Sequence, residues 1–381
     1  MMQIYENLGV RRFINASGTY TRLGGSRMPP PVVAAMADAA RHFVDMDELQ
    51  LSVGARLAAL THNDAAYVTS GAAAGLTLST AACMAGMDPA RASQLPDVRG
   101  LRNQVVMHRA HRNPYDYAVR LLPIELVEIG YPNHITPTEG WELEHALGEQ
   151  TAAVLYVAGG WTSPGSLPLP MVAEIAHRRG VPVIVDAAAQ LPPKENLWRF
   201  TRMGADLAIF SGGKDLRGPQ STGLIVGRRD LIDACFLLGA PHHGIARGFK
   251  VGKEEMVGLL AAVQRYVEHD EEARLQWTED FVASLIERLG GPHLSVERSF
   301  PNEAGQPMPR ALCRVLGDHP ESRRDDMVAV LRSGDPSIEV GVADAEANTF
   351  YVNPMTVDPD EADALLARLC AVVEAVEGVA V

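Results

Sequence analysis

Short apolar runs alternate with helical patterns from about residue 64 to about residue 228. This alternation predicts a mostly parallel α/β sheet, because parallel strands are joined by long crossovers that are usually helices. The run Val183–Val185 is typical of a strand that is buried on both faces. Ligands of open α/β sheets bind outside the carboxyl ends of the strands. Residues that directly follow these runs are therefore the first candidates for chemistry.

One lysine stands at the end of such a run, in the stretch Ser211-Gly-Gly-Lys214. Burying an ammonium group without a partner is costly, so a buried lysine tends to lose its proton or to serve a function. One such function is an imine (Schiff base) with an aldehyde cofactor. A solvated loop lysine is the plainer interpretation of a lone lysine. The sequence upstream favours the imine.

Asp186 follows the strand-like run Val183–Val185 and precedes Lys214 by about one strand–helix–strand unit. A pyridoxal phosphate ring needs a carboxylate that keeps its pyridine nitrogen protonated, because the protonated ring is the electron sink. An aspartate and a lysine in this order fit that need. The structural alternative for Asp186 is a helix N-cap. Together the two residues predict pyridoxal 5'-phosphate as the cofactor.

The stretch Thr69-Ser-Gly-Ala-Ala-Ala-Gly75 lies between an apolar run and a helical pattern. Small residues at the start of a helix allow backbone N–H groups to approach a phosphate, and the helix dipole favours the negative charge. Ser70, Gly71 and Ala72 are therefore the predicted phosphate contacts. Any tight strand-to-helix turn would look the same. The stretch lacks both glycine-rich nucleotide-binding patterns, which disfavours a nucleotide.

Three motifs resemble a known family: the stretch 69–75, Val185-Asp-Ala-Ala-Ala-Gln190, and the stretch 211–220. They resemble pyridoxal-phosphate enzymes of the aspartate-aminotransferase fold, and more narrowly the group of L-seryl-tRNA(Sec) selenium transferase and D-glucosaminate-6-phosphate ammonia-lyase. The stretch 14–25 resembles the ammonia-lyase branch. The resemblance implies fold-type I, with a seven-stranded, mostly parallel sheet in a large domain and a small α+β C-terminal domain. It also implies that the run Gly223–Val226 is an antiparallel strand.

The resemblance also implies roles for residues in the matching segments. In this family a histidine after the strand that matches Gln104–Met107 stacks on the cofactor ring, and His111 is the candidate by position. Gln190 and Ser211 complete the predicted cofactor contacts. His108 and His111 could instead suggest a metal site, but no third ligand has a recognisable spacing, so no metal is predicted. A third possibility is a capped helix start at Asn113.

Relatives of this fold usually bind the substrate carboxylate with an arginine of the small domain, because a guanidinium group matches a carboxylate bidentately. The stretches 337–344 and 352–356 contain no arginine, and Gly341 and Met355 stand where one is expected. The carboxylate is then bound elsewhere, or the substrate presents a different group. We expect Arg22 of the N-terminal arm to bind the anionic end of the substrate. The complete set of predicted substrate contacts is Thr19, Arg22, Arg217 and Trp161.

The chain has 381 residues and a net charge of −13. This charge disfavours non-specific binding to a nucleic-acid backbone and counts against a tRNA substrate. No apolar run approaches the roughly 20 residues of a membrane span, and no signal peptide is visible. The cysteines are widely spaced and predict free thiols in a reducing, cytoplasmic compartment. They are Cys83, Cys235, Cys313 and Cys370.

We expect three regions: 1–46 as an N-terminal arm and helix, 47–253 as the large cofactor-binding domain, and 254–381 as the small C-terminal domain. A long helical stretch is expected at 254–288. The arm and the loop 241–253 predict a homodimer or higher homo-oligomer, because relatives build their sites at a two-fold interface.

The expected reaction begins with a small amino substrate displacing Lys214, whose freed amine then removes the Cα proton. Loss of a group from Cβ would make the protein a lyase of the ammonia-lyase type, which we rank first by the resemblance. A racemase or epimerase and a transferase are the alternatives, since they start from the same carbanion. A scaffold that binds the cofactor without turnover is the non-enzymatic alternative, against which the intact Lys214 and Asp186 argue.

Overall fold

The computed structural model describes residues 4–133, 135–162, 164–342 and 346–378. The chain falls into two compact units. The larger unit comprises residues 27–269 and 304–306, and the smaller unit comprises residues 1–26, 270–303 and 307–381. The sequence analysis expected three regions with boundaries after residues 46 and 253. That division into domains remains a prediction.

The strands are β1 Phe13–Ala16, β2 Ala65–Thr69, β3 Gln104–His108, β4 Glu125–Ile129, β5 Thr151–Val157, β6 Val183–Asp186, β7 Leu207–Ser211, β8 Gly223–Gly227, β9 Leu294–Ser299, β10 Arg310–Val315, β11 Ser337–Val342 and β12 Thr349–Val352. The α-helices are α1 Ile4–Asn7, α2 Pro30–Ala39, α3 Met46–Leu60, α4 Ala72–Ala85, α5 Pro89–Gln94, α6 Tyr117–Arg120, α7 Gly140–Ala146, α8 Leu169–Arg178, α9 Asn196–Arg202, α10 Arg229–Leu238, α11 Lys253–Glu268, α12 Glu271–Leu289, α13 Pro320–Ser333 and α14 Pro359–Gly378.

The larger unit is built on a seven-stranded sheet with the order β2-β8-β7-β6-β5-β3-β4. β8 pairs antiparallel with both β2 and β7, and the other pairings are parallel. The predicted mostly parallel seven-stranded sheet and its antiparallel strand at Gly223–Val226 are therefore confirmed. Every residue of β2 and of β6 is buried, as expected for strands with helices on both faces.

Separate apolar cores cover the two faces of this sheet. α4 belongs to one of them, and nearly all of its residues after the first turn are buried. Its many alanines allow it to lie close to the sheet, since a helix that is apolar on all sides belongs in a core. α3 begins at Asp45, whose side chain accepts hydrogen bonds from the N–H groups of Asp47 and Glu48.

The smaller unit contains a five-stranded sheet with the order β1-β11-β12-β10-β9. β1 pairs in parallel with β11, and its alternate residues Ile14 and Ala16 enter the core of this unit. The N-terminal arm therefore contributes an edge strand to this sheet. The sequence analysis missed this strand because four residues are too short for a clear alternating pattern.

The long helical stretch expected at 254–288 is divided into two helices, α11 and α12. His269 is extended, with φ −71° and ψ 153°, and ends α11. Asp270 then caps α12 by accepting a hydrogen bond from the N–H of Ala273 at 2.9 Å. An aspartate before two glutamates is a helix-start signal, and it marks the point where the chain passes from one unit to the other.

No helix in the described part of the chain is long and apolar enough to cross a membrane. All four cysteines are free thiols.

Candidate active site

Six strands of the larger unit end at the same edge of the sheet, because they run in the same direction. Their last residues are Thr69, His108, Ile129, Val157, Asp186 and Ser211. The sheet therefore brings together the predicted phosphate turn, the histidine segment, the aspartate and the lysine turn, which are far apart in the sequence.

Lys214 and Asp186 interact electrostatically at this edge. Burial raises the pKa of the Asp186 carboxyl group, opposed by the N–H of Ala188, which donates to Asp186 Oδ1 at 3.0 Å, and by the charge of Lys214. Burial lowers the pKa of Lys214, and the charge of Asp186 opposes that change. Burial is the larger effect on both residues, so it moves the pKa of each group towards its neutral form.

Lys214 is held in a tight turn that follows β7. The N–H of Gly212 donates to the carbonyl of Thr222 at 2.8 Å, and the N–H of Gly218 donates to the carbonyl of Gly212 at 2.8 Å. A Cβ atom at Gly213 would collide with Cα of Gln220, so this position requires glycine. Arg217 has a φ of 56°, a conformation that costs a residue with a side chain about 1–2 kcal/mol. Such strain is typical of functional segments.

Asp215 and Tyr266 are buried beside the lysine turn, and the sequence analysis missed both. The Tyr266 hydroxyl donates to Asp215 Oδ2 at 2.7 Å, and the two residues are 1% and 2% exposed. The hydrogen bond ties α11 to the residue that directly follows Lys214. The only signal in the sequence was an acidic residue next to the lysine, since nothing local pairs it with a tyrosine 51 residues later.

The predicted phosphate turn joins β2 to α4. Gly71 is the N-cap of α4 and has a φ of 98°, which favours glycine. The N–H of Gly71 donates to the carbonyl of Thr69 at 2.9 Å. A Cβ atom at Gly71 would meet no atom within 4 Å, so the helix start is open. Since the first N–H groups of a helix lack partners within it, this turn fits an anionic group such as a phosphate.

His108 and His111 are completely buried after β3, and their ring centroids lie 4.7 Å apart. His111 Nδ1 accepts a hydrogen bond from the N–H of Val157 at 3.2 Å, and Tyr156 packs edge-on against the His111 ring. Burial, followed by the effect of His108, lowers the pKa of His111 to about 3. The ring therefore stays neutral near pH 7 and presents a flat, uncharged surface beside the end of β5.

The remaining predicted cofactor and substrate residues differ in their surroundings. Gln190 is buried and its side-chain N–H donates to the carbonyl of Ala304 at 3.1 Å, whereas Ser211 is half-buried at the end of β7. Arg217 Nε donates to the carbonyl of Arg27 at 2.8 Å. The side chain of Trp161 lies outside what the structure describes. Their roles in binding cofactor or substrate remain predictions.

Thr19 and Arg22 belong to the smaller unit, where Thr19 is half-buried and Arg22 is exposed.

The structure explains why an arginine is missing at the expected position in this unit. A Cβ atom at Gly341 would collide with the ring of Tyr351, which fills the space of a longer side chain. The Tyr351 hydroxyl is 2.9 Å from that of Tyr20, and Arg310 lies over the Tyr351 ring at 4.6 Å.

The profile of the aminotransferase class-V family matches residues 105–242. Over 376 residues the chain is 36% identical to D-glucosaminate-6-phosphate ammonia lyase of Salmonella typhimurium (strain 14028s / SGSC 2262), covering 97% of this chain and 98% of that protein. It belongs to the family of that protein. The identity is also 36% over 373 residues to a 5'-C-glycyluridine monooxygenase-decarboxylase of a Streptomyces species, covering 96% of this chain and 90% of that protein.

A solved structure of D-glucosaminate-6-phosphate ammonia-lyase superposes with a TM-score of 0.84 at 35% identity, covering 99% of this chain and 100% of that one. These similarities confirm the predicted resemblance and the predicted fold-type I architecture. They also confirm the predicted class of protein, an enzyme that depends on pyridoxal phosphate.

Proposed function

We propose that this protein is a pyridoxal-phosphate-dependent lyase that acts at Cα and Cβ of an amino acid or amino-sugar acid. The observation that carries the proposal is the pair of Lys214 and Asp186 at the carboxyl edge of the larger sheet. Bound pyridoxal phosphate supplies an electron sink for the negative charge that develops on the substrate. The similarity to an ammonia lyase over nearly the whole chain supports the ranking of lyase chemistry.

Lys214 would bind the cofactor aldehyde and then move a proton from the substrate Cα. An amine can do either only without its own proton, and burial lowers the pKa of Lys214 in that direction. Asp186 would hold the cationic pyridine nitrogen. Burial raises the pKa of this carboxyl group, and a cation beside it would favour the ionised form.

Ser70, Gly71 and Ala72 would hold the cofactor phosphate at the start of α4, and His111 would cover one face of its ring. Both assignments use features already present in the fold, an open helix start and a neutral buried ring. Gln190 and Ser211 would complete the cofactor site.

We propose Thr19 and Arg22 of the arm as contacts for the anionic end of the substrate, with Arg217 and Trp161 as further contacts. The absence of an arginine at Gly341 supports this proposal, since the Tyr351 ring takes that space. The substrate would then be smaller or differently charged than a phosphosugar acid.

Purified enzyme loaded with pyridoxal phosphate should release ammonia and a keto acid from some members of a panel of amino acids and amino-sugar acids. Release of neither from the whole panel would contradict lyase chemistry.

A second candidate function comes from the equal identity to a monooxygenase-decarboxylase. Oxygen uptake and carbon dioxide release, measured on the same panel, separate it from the lyase, because elimination of ammonia uses no oxygen and releases no carbon dioxide.

A homodimer in the cytoplasm is the proposed state of the protein. Phe43 is fully exposed on the larger unit, and Val33, Val44 and Leu51 are about half exposed. All four lie within residues 33–51, and contact with a second subunit would remove their apolar surface from water. The four free thiols are compatible with a reducing compartment. Sedimentation at assay concentration should show a dimer, and an active monomer would refute the proposal.

A further inference from the structure

His108 and His111 each accept a hydrogen bond from a backbone N–H. Val157 donates to His111 Nδ1 at 3.2 Å, and Leu167 donates to His108 Nε2 at 3.1 Å. A neutral imidazole carries one N–H and one acceptor nitrogen, and the hydrogen bond to one nitrogen decides which. His111 is therefore protonated at Nε2 and His108 at Nδ1.

Both of these N–H groups are buried, and neither has a hydrogen-bond partner among the residues that the structure describes. An unsatisfied buried donor costs about 1–3 kcal/mol, so such groups call for an explanation. The His108 ring packs against the His111 ring, with centroids 4.7 Å apart. The surroundings of His111 include the end of β5, where Val157 donates to it and is itself in register with Asp186.

We propose that the backbone of Val157 locks His111 as the Nε2–H tautomer, and that this N–H donates a hydrogen bond to an anionic oxygen of the bound ligand. His108 is a positioning residue, because its ring packs against His111 and restricts its orientation. The identity of the ligand rests on the proposed function, whereas the assignment of the His111 tautomer does not depend on it. The oxygen belongs to the cofactor or to the carboxylate of an amino substrate, and the experiment distinguishes the two sources.

The tautomer is tested by NMR of protein labelled with ¹⁵N-histidine, without and with pyridoxal phosphate. The His111→Gln variant assigns the signals of His111, and His145→Gln, at an exposed histidine, is the matched control. We expect a neutral ring with its proton on Nε2 in the cofactor-free protein. A proton on Nδ1, or a doubly protonated ring at pH 7, would overturn the proposal whatever reaction the enzyme catalyses.

The donated hydrogen bond is tested in the same samples with 2-methylalanine, which lacks a Cα proton, and with isopropylamine, which lacks the carboxylate. The absorbance of the bound cofactor shows when each amine has displaced Lys214. A downfield shift of the Nε2 proton on loading pyridoxal phosphate alone assigns the acceptor to the cofactor. A shift with 2-methylalanine and not with isopropylamine assigns it to the substrate carboxylate. An unchanged proton in all three states would refute the donor role.

Two variants separate hydrogen-bond donation from ring stacking. His111→Phe keeps a flat ring without the N–H, and His111→Gln keeps an N–H without the ring. If the carboxylate is the acceptor, His111→Phe should weaken the binding of 2-methylalanine about tenfold or more relative to that of isopropylamine. His111→Gln should keep much of the preference for 2-methylalanine over isopropylamine. Equal weakening of both amines by His111→Phe would contradict a carboxylate acceptor. His111→Phe leaves the Val157 N–H without its partner. If this variant does not fold, the NMR measurement on the unaltered protein tests the donor role of His111 instead.

Discussion

Replacing Tyr266 by phenylalanine tests whether the buried hydrogen bond beside the lysine turn stabilises the larger unit. The change removes one hydroxyl group and leaves the ring in place. In the structure this hydroxyl donates to Asp215 Oδ2 at 2.7 Å, with both residues almost fully buried. A hydrogen bond to a charged group contributes about 1.5–3 kcal/mol, and water cannot easily replace this one.

For a domain of this size each kcal/mol shifts the melting temperature by about 2–4 °C, so Tyr266→Phe should lower it by about 3–12 °C. Differential scanning calorimetry of the cofactor-free protein measures the shift. Tyr115→Phe is the matched control, because Tyr115 is exposed and loses a hydroxyl that faces solvent. Equal melting temperatures for the two variants would refute the role of the Tyr266–Asp215 hydrogen bond.

Four further predictions concern the proposed chemistry. Lys214→Ala should remove the visible absorbance of the bound cofactor and abolish turnover; a retained absorbance band would contradict the assignment. Asp186→Ala should keep some cofactor but lose most of its activity, because nothing then holds the ring protonated; near-normal kcat would refute this. Arg22→Ala should raise KM strongly and leave the cofactor spectrum unchanged, and D-glucosaminate 6-phosphate should be a poor substrate; unchanged kinetics or efficient use of the phosphosugar would overturn the substrate proposal. In an Asp186→Asn background, Lys214→Met should stabilise the cofactor-free protein at pH 7, and progressively less as the pH rises. Burial lowers the pKa of Lys214 in the fold, so the folded state binds fewer protons than the unfolded state, and the destabilisation by the lysine fades as the pH approaches its ordinary pKa. A pH-independent difference in urea unfolding would contradict that reasoning.

The sequence predicted the larger sheet well, because its strands are continuous apolar runs such as Val183–Val185. Parallel strands bring distant motifs to one edge, so the proximity of Asp186 and Lys214 followed from the strand order. The lysine turn was recognisable from its glycines, one of which admits no side chain. These features depend on local sequence and on topology, both of which a single chain reveals.

The smaller unit and the polar partners of the site were harder to predict. β1 has too few residues for a clear alternating pattern, and its pairing with β11 joins residues more than 300 positions apart. The hydrogen bond of Tyr266 to Asp215 and those of the two histidines to Val157 and Leu167 depend on tertiary packing. A side-chain pattern along the chain carries no information on which distant backbone N–H meets an imidazole nitrogen.

The two relatives with equal identity carry the names of different reactions, an ammonia lyase and a monooxygenase-decarboxylase. In their proposed roles, Lys214 and Asp186 would serve any reaction that needs a cofactor bound to a lysine and a protonated ring. These roles account for pyridoxal-phosphate chemistry in general, and they do not select its outcome. Selection has to come from groups that orient the substrate bonds around the ring. Tyr351 fills the space at Gly341, which leaves the neutral N–H of His111 and the arm residue Arg22 as the groups to vary first. The variants His111→Phe and Arg22→Ala thus test which reaction the enzyme catalyses. Variants of Lys214 and Asp186 test only whether it catalyses a cofactor-dependent reaction at all.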